Sequence, residues 1–466
     1  MLKCLNETVG LGCRLKCVNE TVSTVMLVLV ALLPGLMAFS PESYGIAFKL
    51  LGKVEIVTLI VLGLVNLLVA YVKGKKDGRT GMTKEIIRKI YGAFAANRHF
   101  LLLLIAFVIA FVSACLASDT ENAFYGSDFR PDGFFMYAFF AGIFIFGSCI
   151  RDQKLKNLIY GVYIFSFVLN GIIVLQQYLG VLGSVREDSC PVWLEFLKNF
   201  YDDIDIRTGF FYKGITGAFY NSNHAGYFLM MSAMVVSALL ALSKRKSNCV
   251  VFAVLCAFSL WLVIVNDTFG VYIAAFVTLA LLTVFAWIRT RKSEHFVRSC
   301  IPVVLLVVLS VIVTLTGSKT VLSNIINLKN DIQDISSENE DAHNAGSGRW
   351  ELWVATADMI SDRPLIGYGP DNVNSEYEKR NLDMSRAHNE YLEHPLNCGI
   401  PFAVFYLSGI FYIVFRRVRN MRTYSDARKY LVPLMVCVGY MISAFTGVFL
   451  FYTACHFFVM LSLLKD

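Results

Sequence analysis

Long apolar runs recur along this chain, separated by short polar connectors, with the repeat length that a bilayer imposes. About 20 apolar residues are needed to cross some 30 Å of hydrocarbon as a helix. Runs that meet or approach this fall at roughly 22–38, 54–72, 100–117, 133–150, 158–179, 224–242, 249–266, 270–288, 300–316, 399–415, 431–446 and 448–464. The pattern predicts an all-α polytopic membrane protein of about twelve spans. The final two share about 34 residues, so they need a very tight turn near Thr446 and Gly447. The run from Val22 to Phe39 reads as the first span and not as a cleaved signal, because further spans follow it.

Composition agrees with this reading. Of 466 residues, 56% are hydrophobic and only 17% charged, against about a quarter charged in soluble proteins. The net charge of +7 records topology. With the N-terminus inside, the inner segments, among them "RDQKLKN", "SKRKSN" and "RRVRNMRTYSDARKY", and both termini carry about 28 of the 42 Lys and Arg. Acidic residues distribute the other way, about 26 outside and 8 inside with Glu55 at a span edge, so the faces sum to near +20 and −12. No soluble reading module accompanies the basic clusters, and nucleic acid is not an expected partner. The 12 cysteines lie mostly in spans and inner segments and imply no disulfide framework. Cys4, Cys13 and Cys17 have neither CxxC spacing nor a histidine to suggest a metal.

Two outer segments hold most of the polar, non-basic sequence, 180–223 and 317–398. The chain therefore divides into a bundle, 1–316, carrying nine spans and the outer loop 180–223; an outer segment, 317–398; and the C-terminal spans, 399–466. From Ser347, Trp350, Trp353, Val354, Ala357 and Met359 or Ile360 recur at helical spacing before the breakers Arg363-Pro364 and Gly367-Tyr368-Gly369-Pro370. They predict an amphipathic helix against the outer membrane face. A second short helix over 385–397 leads into the tenth span, with Pro395 and Gly399 at the joint.

These residues resemble a known family. Arg349 followed by Trp, then "DRPLIGYGPDN", then "AHNEYLEHPLNCGIP" entering a span are similar to the signature of the O-antigen ligase and O-antigen polymerase superfamily. A shorter match, "GITGAFYNSNHAGYFLM", carries Gly217, Phe219, Asn221 and Asn223 of a G-x-F-x-N-P-N pattern, with Ser222 in place of proline. The resemblance implies a multi-pass protein of the bacterial cytoplasmic membrane with both termini cytoplasmic. It implies a GT-C-type, inverting, metal-independent glycosyltransferase acting on the outer face, without a cofactor. Its partners would be a polyprenyl-diphosphate-linked glycan donor, a glycan or lipid-linked acceptor, and the bilayer. The family histidine carries over onto His388 and the outer-loop arginine onto Arg349; the basic residue expected ahead of Gly217 is represented by Lys213, or more distantly by Arg207.

The chemistry accounts for those residue types. Attack of a hydroxyl on a sugar diphosphate requires a proton acceptor and positive charge where the diphosphate leaves. Imidazole supplies the first near neutral pH and guanidinium the second. Asn389, Glu390 and Tyr391 are supporting candidates that would orient the imidazole or bind sugar hydroxyls, as is Asn223. Alone, a loop histidine is more often a surface or helix-end residue, and Arg349 is better read as pairing with Glu351 or Asp362 or reaching headgroups. Arg386 reads as a surface charge, and His394 as a helix terminator before Pro395. "HNEYLEH" is neither HExxH nor HxxEH, and Asp203-x-Asp205 is a weak metal signal. The rival class is a transporter or flippase of lipid-linked glycan. That class places ionisable groups at mid-membrane; the spans here hold Asn66, Asn170, Gln176, Gln177 and His456 but no central charge.

Overall fold

A computed structural model of the chain describes residues 11–37, 44–76, 97–127, 130–179, 215–219, 221–290, 293–316, 320–337, 345–346, 348–382 and 386–465. Among these the regular structure is entirely helical, as hydrocarbon demands of any open chain that must satisfy its own backbone. In order the helices are α1 (Leu11–Met37), α2 (Tyr44–Lys76), α3 (Arg98–Cys115), α4 (Thr120–Tyr125), α5 (Phe134–Cys149), α6 (Gln153–Tyr178), α7 (Ser222–Leu242), α8 (Lys246–Val265), α9 (Phe269–Thr290), α10 (Ser293–Leu315), α11 (Thr320–Ser336), α12 (Arg349–Asp362), α13 (Asn374–Glu378), α14 (Glu390–Asn420), α15 (Tyr424–Ser443) and α16 (Phe451–Leu463).

Each of the twelve predicted runs falls on a helix. Among the described residues nine helices, α1–α3, α6–α10 and α14, are long and apolar enough to cross a membrane; α5 and the stretch Thr453–Leu463 of α16 are shorter apolar helices. The tight turn expected at Thr446 and Gly447 joins α15 to α16. It is tight on all sides: a Cβ on Gly447 would stand 1.4 Å from the Tyr227 hydroxyl, and one on Gly270 would stand 1.9 Å from Thr446 Oγ1.

Helices outrun the apolar stretches that signal them, and this corrects one expectation. Because α2 begins at Tyr44, Glu55 lies well inside the apolar span Ile46–Val72 and not at its edge. Its carboxylate is 1% exposed and lies against Gly142 of α5, where a Cβ would be 2.6 Å from Oε1. Oε2 has no hydrogen-bond partner among the described residues. An ionisable group is thus buried within a span after all.

The bundle is organised around α7. Of its most apolar window 89% is buried, against 6% for the peripheral α2. Ala225, Gly226, Ser232, Ala233, Ser237 and Ala238 keep its profile slim, so that α8, α15 and α9 can approach closely. In-span polar residues serve this packing. Asn170 donates to the Pro34 carbonyl at 2.6 Å, and Asn19 and Asn66 pair at 3.0 Å. His456 sits among the rings of Tyr163 and Phe228.

The two ends of the bundle differ in chemistry. At one end basic side chains close helix C-termini, where carbonyls lack partners. Lys156 Nζ donates to Leu463 O at 3.0 Å, Arg417 Nε to Leu464 O at 2.7 Å, and Arg298 to Ser243 O. At the other end lie Asp132, Arg349, Asp371, Arg386, His388 and Glu393.

Candidate functional site

The site is built on a broken helix. Within α14 Gly399 takes φ 86° and ψ 160°, a left-handed conformation that L side chains rarely adopt. The break frees carbonyls that hydrocarbon cannot satisfy, and the "DRPLIGYGPDN" segment supplies the missing partners. Tyr368 N donates to Leu396 O at 3.0 Å and Gly369 N to Asn397 O at 2.8 Å, while Ile400 N donates to Pro364 O at 2.8 Å. Ser113 Oγ of α3 adds a bond to Asn397 O at 3.0 Å. The glycines allow this approach: a Cβ on Gly367 would stand 2.5 Å from Asn397 O, and one on Gly399 2.3 Å from Leu365 O. The motif is thus a backbone adapter for the joint expected at Pro395 and Gly399.

The adapter also delivers Asp371 to a buried charge cluster that sequence reasoning missed. Arg386, expected at the surface, is 4% exposed and stands at the cluster's centre. Its Nη2 meets Asp132 Oδ2 at 2.8 Å and Asp371 Oδ1 at 2.6 Å, and its Nη1 meets Glu393 Oε1 at 2.7 Å. The remaining carboxylate oxygens accept backbone donors: Ser127 N to Asp371 Oδ2 at 3.1 Å, Phe451 N to Asp132 Oδ1 at 3.2 Å and Phe449 N to Glu393 Oε2 at 3.4 Å. Burial raises Asp132 to about 7, with Arg386 opposing and Asp371 reinforcing the shift. Burial also works against the charge on Arg386, but Asp371, Asp132 and Glu393 outweigh it and hold its proton more tightly than usual. The available signal was weak, because Pro131-Asp132-Gly133 and Pro370-Asp371-Asn372 both read as turn sequences.

His388 lies two residues beyond Arg386, half-buried, with a left-handed φ of 50°. Its neighbours constrain it from both sides. The Ala387 carbonyl accepts Trp353 Nε1 at 3.0 Å, and Asn389 caps α14 by accepting Tyr391 N at 3.0 Å. Nδ1 of His388 is buried with no hydrogen-bond partner among the described residues. Burial, then the charges of Arg349 and Arg386, lower its pKa to about 4, so the imidazole is neutral at physiological pH. Arg349 opens α12 behind the left-handed Gly348. Burial lowers its pKa while nearby Tyr227 opposes the shift. Among the described residues no carboxylate pairs with Arg349, and Asp362, one expected partner, is taken by Arg380 at 2.8 Å. The structure therefore brings His388 and Arg349 within charge range of each other.

Three of the supporting candidates make side-chain contacts elsewhere. Asn389 Oδ1 is spent on the cap. Glu390 is buried between Tyr440 Oη, at 2.9 Å, and Tyr227 Oη, at 3.3 Å, and Tyr391 Oη donates to Met441 O at 2.6 Å. Asn223 offers its backbone N–H to the capping Asn221 Oδ1 at 2.8 Å. Gly217, φ 57°, is held by Gln177 Oε1 at 2.8 Å, which explains that in-span glutamine. His394 does not end a helix; α14 continues through it, and its ring packs among Tyr406, Phe449 and Phe402. Lys213, Arg207 and the Asp203-x-Asp205 pattern lie outside the described residues. His224, at the first turn of α7 and within charge range of His388, was not singled out from sequence.

The α12 helix forms where periodicity placed it. Leu352, Thr356 and Met359 point inward, and Thr356 Oγ1 lies 2.7 Å from Tyr377 Oη; Trp350 and Val354 face out. Docking on the 368–377 segment and on α14, through a small core with Tyr368, Val373, Tyr377 and Leu396, sets that rotation.

Fold and site together define an all-helical polytopic membrane protein whose polar chemistry is collected at one end of its bundle. Residues 254–407 match the family model described as O-antigen ligase. That segment includes Arg349, Asp371, Arg386 and His388, and over it the chain is similar to the O-antigen ligase/polymerase superfamily. Comparison with curated proteins gives no match.

Proposed function

We propose that this protein transfers or joins polyprenyl-diphosphate-linked glycan at the outer face of the bacterial cytoplasmic membrane. One observation carries the reading: among the described residues, a neutral imidazole with an unpartnered Nδ1 lies within charge range of a guanidinium that no carboxylate occupies. Arg349 engages the donor diphosphate as a charged fork of N–H donors. His388 takes the acceptor hydroxyl proton as the oxygen attacks the anomeric carbon. The new C–O bond forms while the bond to the diphosphate breaks, and the electron pair leaves with the polyprenyl diphosphate. A single displacement inverts the anomeric centre, and the guanidinium supplies the positive charge for departure without calling on a metal ion. The imidazolium returns its proton to solvent or to the departing phosphate.

Binding of the donor also tunes the base. Diphosphate charge beside Arg349 offsets one cause of the low His388 pKa, so the imidazole becomes more basic when substrate is present. The positive-inside pattern supports the orientation, since the end with His388 belongs to the acidic loops. Ligase and polymerase use the same chemistry and differ in the acceptor.

Glu55 lends support to the runner-up, a transporter or flippase, as an intramembrane carboxyl. It lies between peripheral α2 and α5, however, away from the end that collects the polar groups. The two readings separate in detergent, where no compartment remains to be crossed. Purified protein with donor glycolipid extracted from cells lacking this gene, and with acceptor, gives product only if it is an enzyme. Absence of product from folded protein, or full activity in His388→Ala, would overturn the proposal.

A further inference from the structure

A non-glycine residue in the left-handed region is strained and persists only where its surroundings over-determine it. His388 is such a residue. On its C-terminal side Asn389 caps α14 and Glu390 N donates to Ala444 O at 2.9 Å. On its N-terminal side the anchor is the Arg386 side chain, held by carboxylates from three separate places: the α4–α5 connection, the glycine-rich adapter and α14. The cluster is buried too deeply to meet substrate, at 4% exposure for Arg386 and 0–2% for the three carboxylate side chains. Its expense is considerable, since a guanidinium and three carboxylates have been removed from water. Burial of this kind stabilises little by comparison with apolar packing, yet it specifies geometry tightly, because each carboxylate fixes one edge of a planar fork.

We propose that Arg386 is a positioning residue: clamped by Asp132, Asp371 and Glu393, it sets the turn that aims the His388 imidazole at the reacting hydroxyl. The proposal rests on the transferase reading above. A lysine keeps the charge but cannot present two nitrogens to three carboxylates in one plane. Asp132 lies outside the segment that matches the family, so the clamp also fixes His388 relative to the first half of the bundle.

The test uses the full chain in detergent, with donor glycolipid extracted from cells lacking the gene and turnover expressed per folded molecule. Arg386→Lys is expected to lower kcat 10- to 100-fold while KM for donor stays within twofold, as for a displaced catalytic group. The acid limb of kcat/KM should move up from about pH 4 toward 6.5, because a displaced imidazole leaves its burial and Arg349. The charged and titratable groups acting on His388 are Arg349 on α12, His224 on α7 and Arg386 itself; the first two are unchanged in this variant and lysine keeps the charge at 386. Should Arg386→Lys fail to fold, Glu393→Gln carries the same readouts, since it weakens one arm and preserves shape. Variants that fold with the wild-type kcat and acid limb, or that lose only stability, overturn the positioning role. His388→Ala is the control: if it is active the transferase reading itself falls, whereas inert His388→Ala with unaffected clamp variants removes only this inference.

Discussion

His388 owes its chemistry to surroundings that its own sequence neighbours do not reveal. Its pKa near 4 predicts an acid limb of kcat/KM close to pH 4, and a higher limb for kcat, because kcat/KM reports the free enzyme and kcat the donor complex. Coincident limbs near 6.5 would contradict this. The resemblance of their motifs to a known family singled out His388 and Arg349; residue type and position alone read the one as a surface or helix-end residue and the other as an ion-pair or headgroup contact. It could not find Arg386, whose partner Asp132 is 254 residues distant and whose other partners read as turn or helix-start residues. Asp132 itself makes a prediction. Its pKa of about 7 in the fold exceeds the ordinary 3.8, so the folded state binds the proton more tightly. Its contribution to stability is complete below about pH 4 and lost as pH rises through 7. Relative to Asp132→Asn, the wild-type thermal midpoint should therefore fall between pH 4 and 7; parallel profiles would argue against the shift.

Among the elements, periodicity located the helices well. The α12 helix was placed correctly, but its docking on the adapter and α14 through Leu352, Thr356 and Met359 was not legible from local spacing. Likewise "GYGPDN" was legible as a turn, but not as the partner of a break in α14, since nothing local states which distant carbonyls a turn will satisfy. That pairing leads to an expected result. A methyl group on Gly399 meets Leu365 O at 2.3 Å and also faces the wrong backbone region, so Gly399→Ala should cost more than about 2 kcal/mol. Thermal unfolding in detergent measures it, and a shift no larger than that of a surface substitution would mean that the joint is pliable.

Across the whole molecule, the charge asymmetry read from the loops corresponds to two chemically distinct ends of one bundle. The apolar runs and basic loops made that arrangement legible, whereas Glu55 was misplaced because a helix continues past the run that announces it. Orientation can be checked by labelling with a membrane-impermeant maleimide. Lys379→Cys should label in intact spheroplasts and Arg419→Cys only after lysis, with both positions exposed; the reverse pattern would turn the protein over. The buried salt-bridge cluster has a final implication for modularity. The family segment at 254–407 supplies Arg386, Asp371 and Glu393 but depends on an aspartate contributed by the preceding bundle. Chimaeras that splice this segment onto a foreign scaffold should work only when the recipient offers a carboxylate at the corresponding turn, so this portion is tied to its host bundle and is not a freely exchangeable cassette.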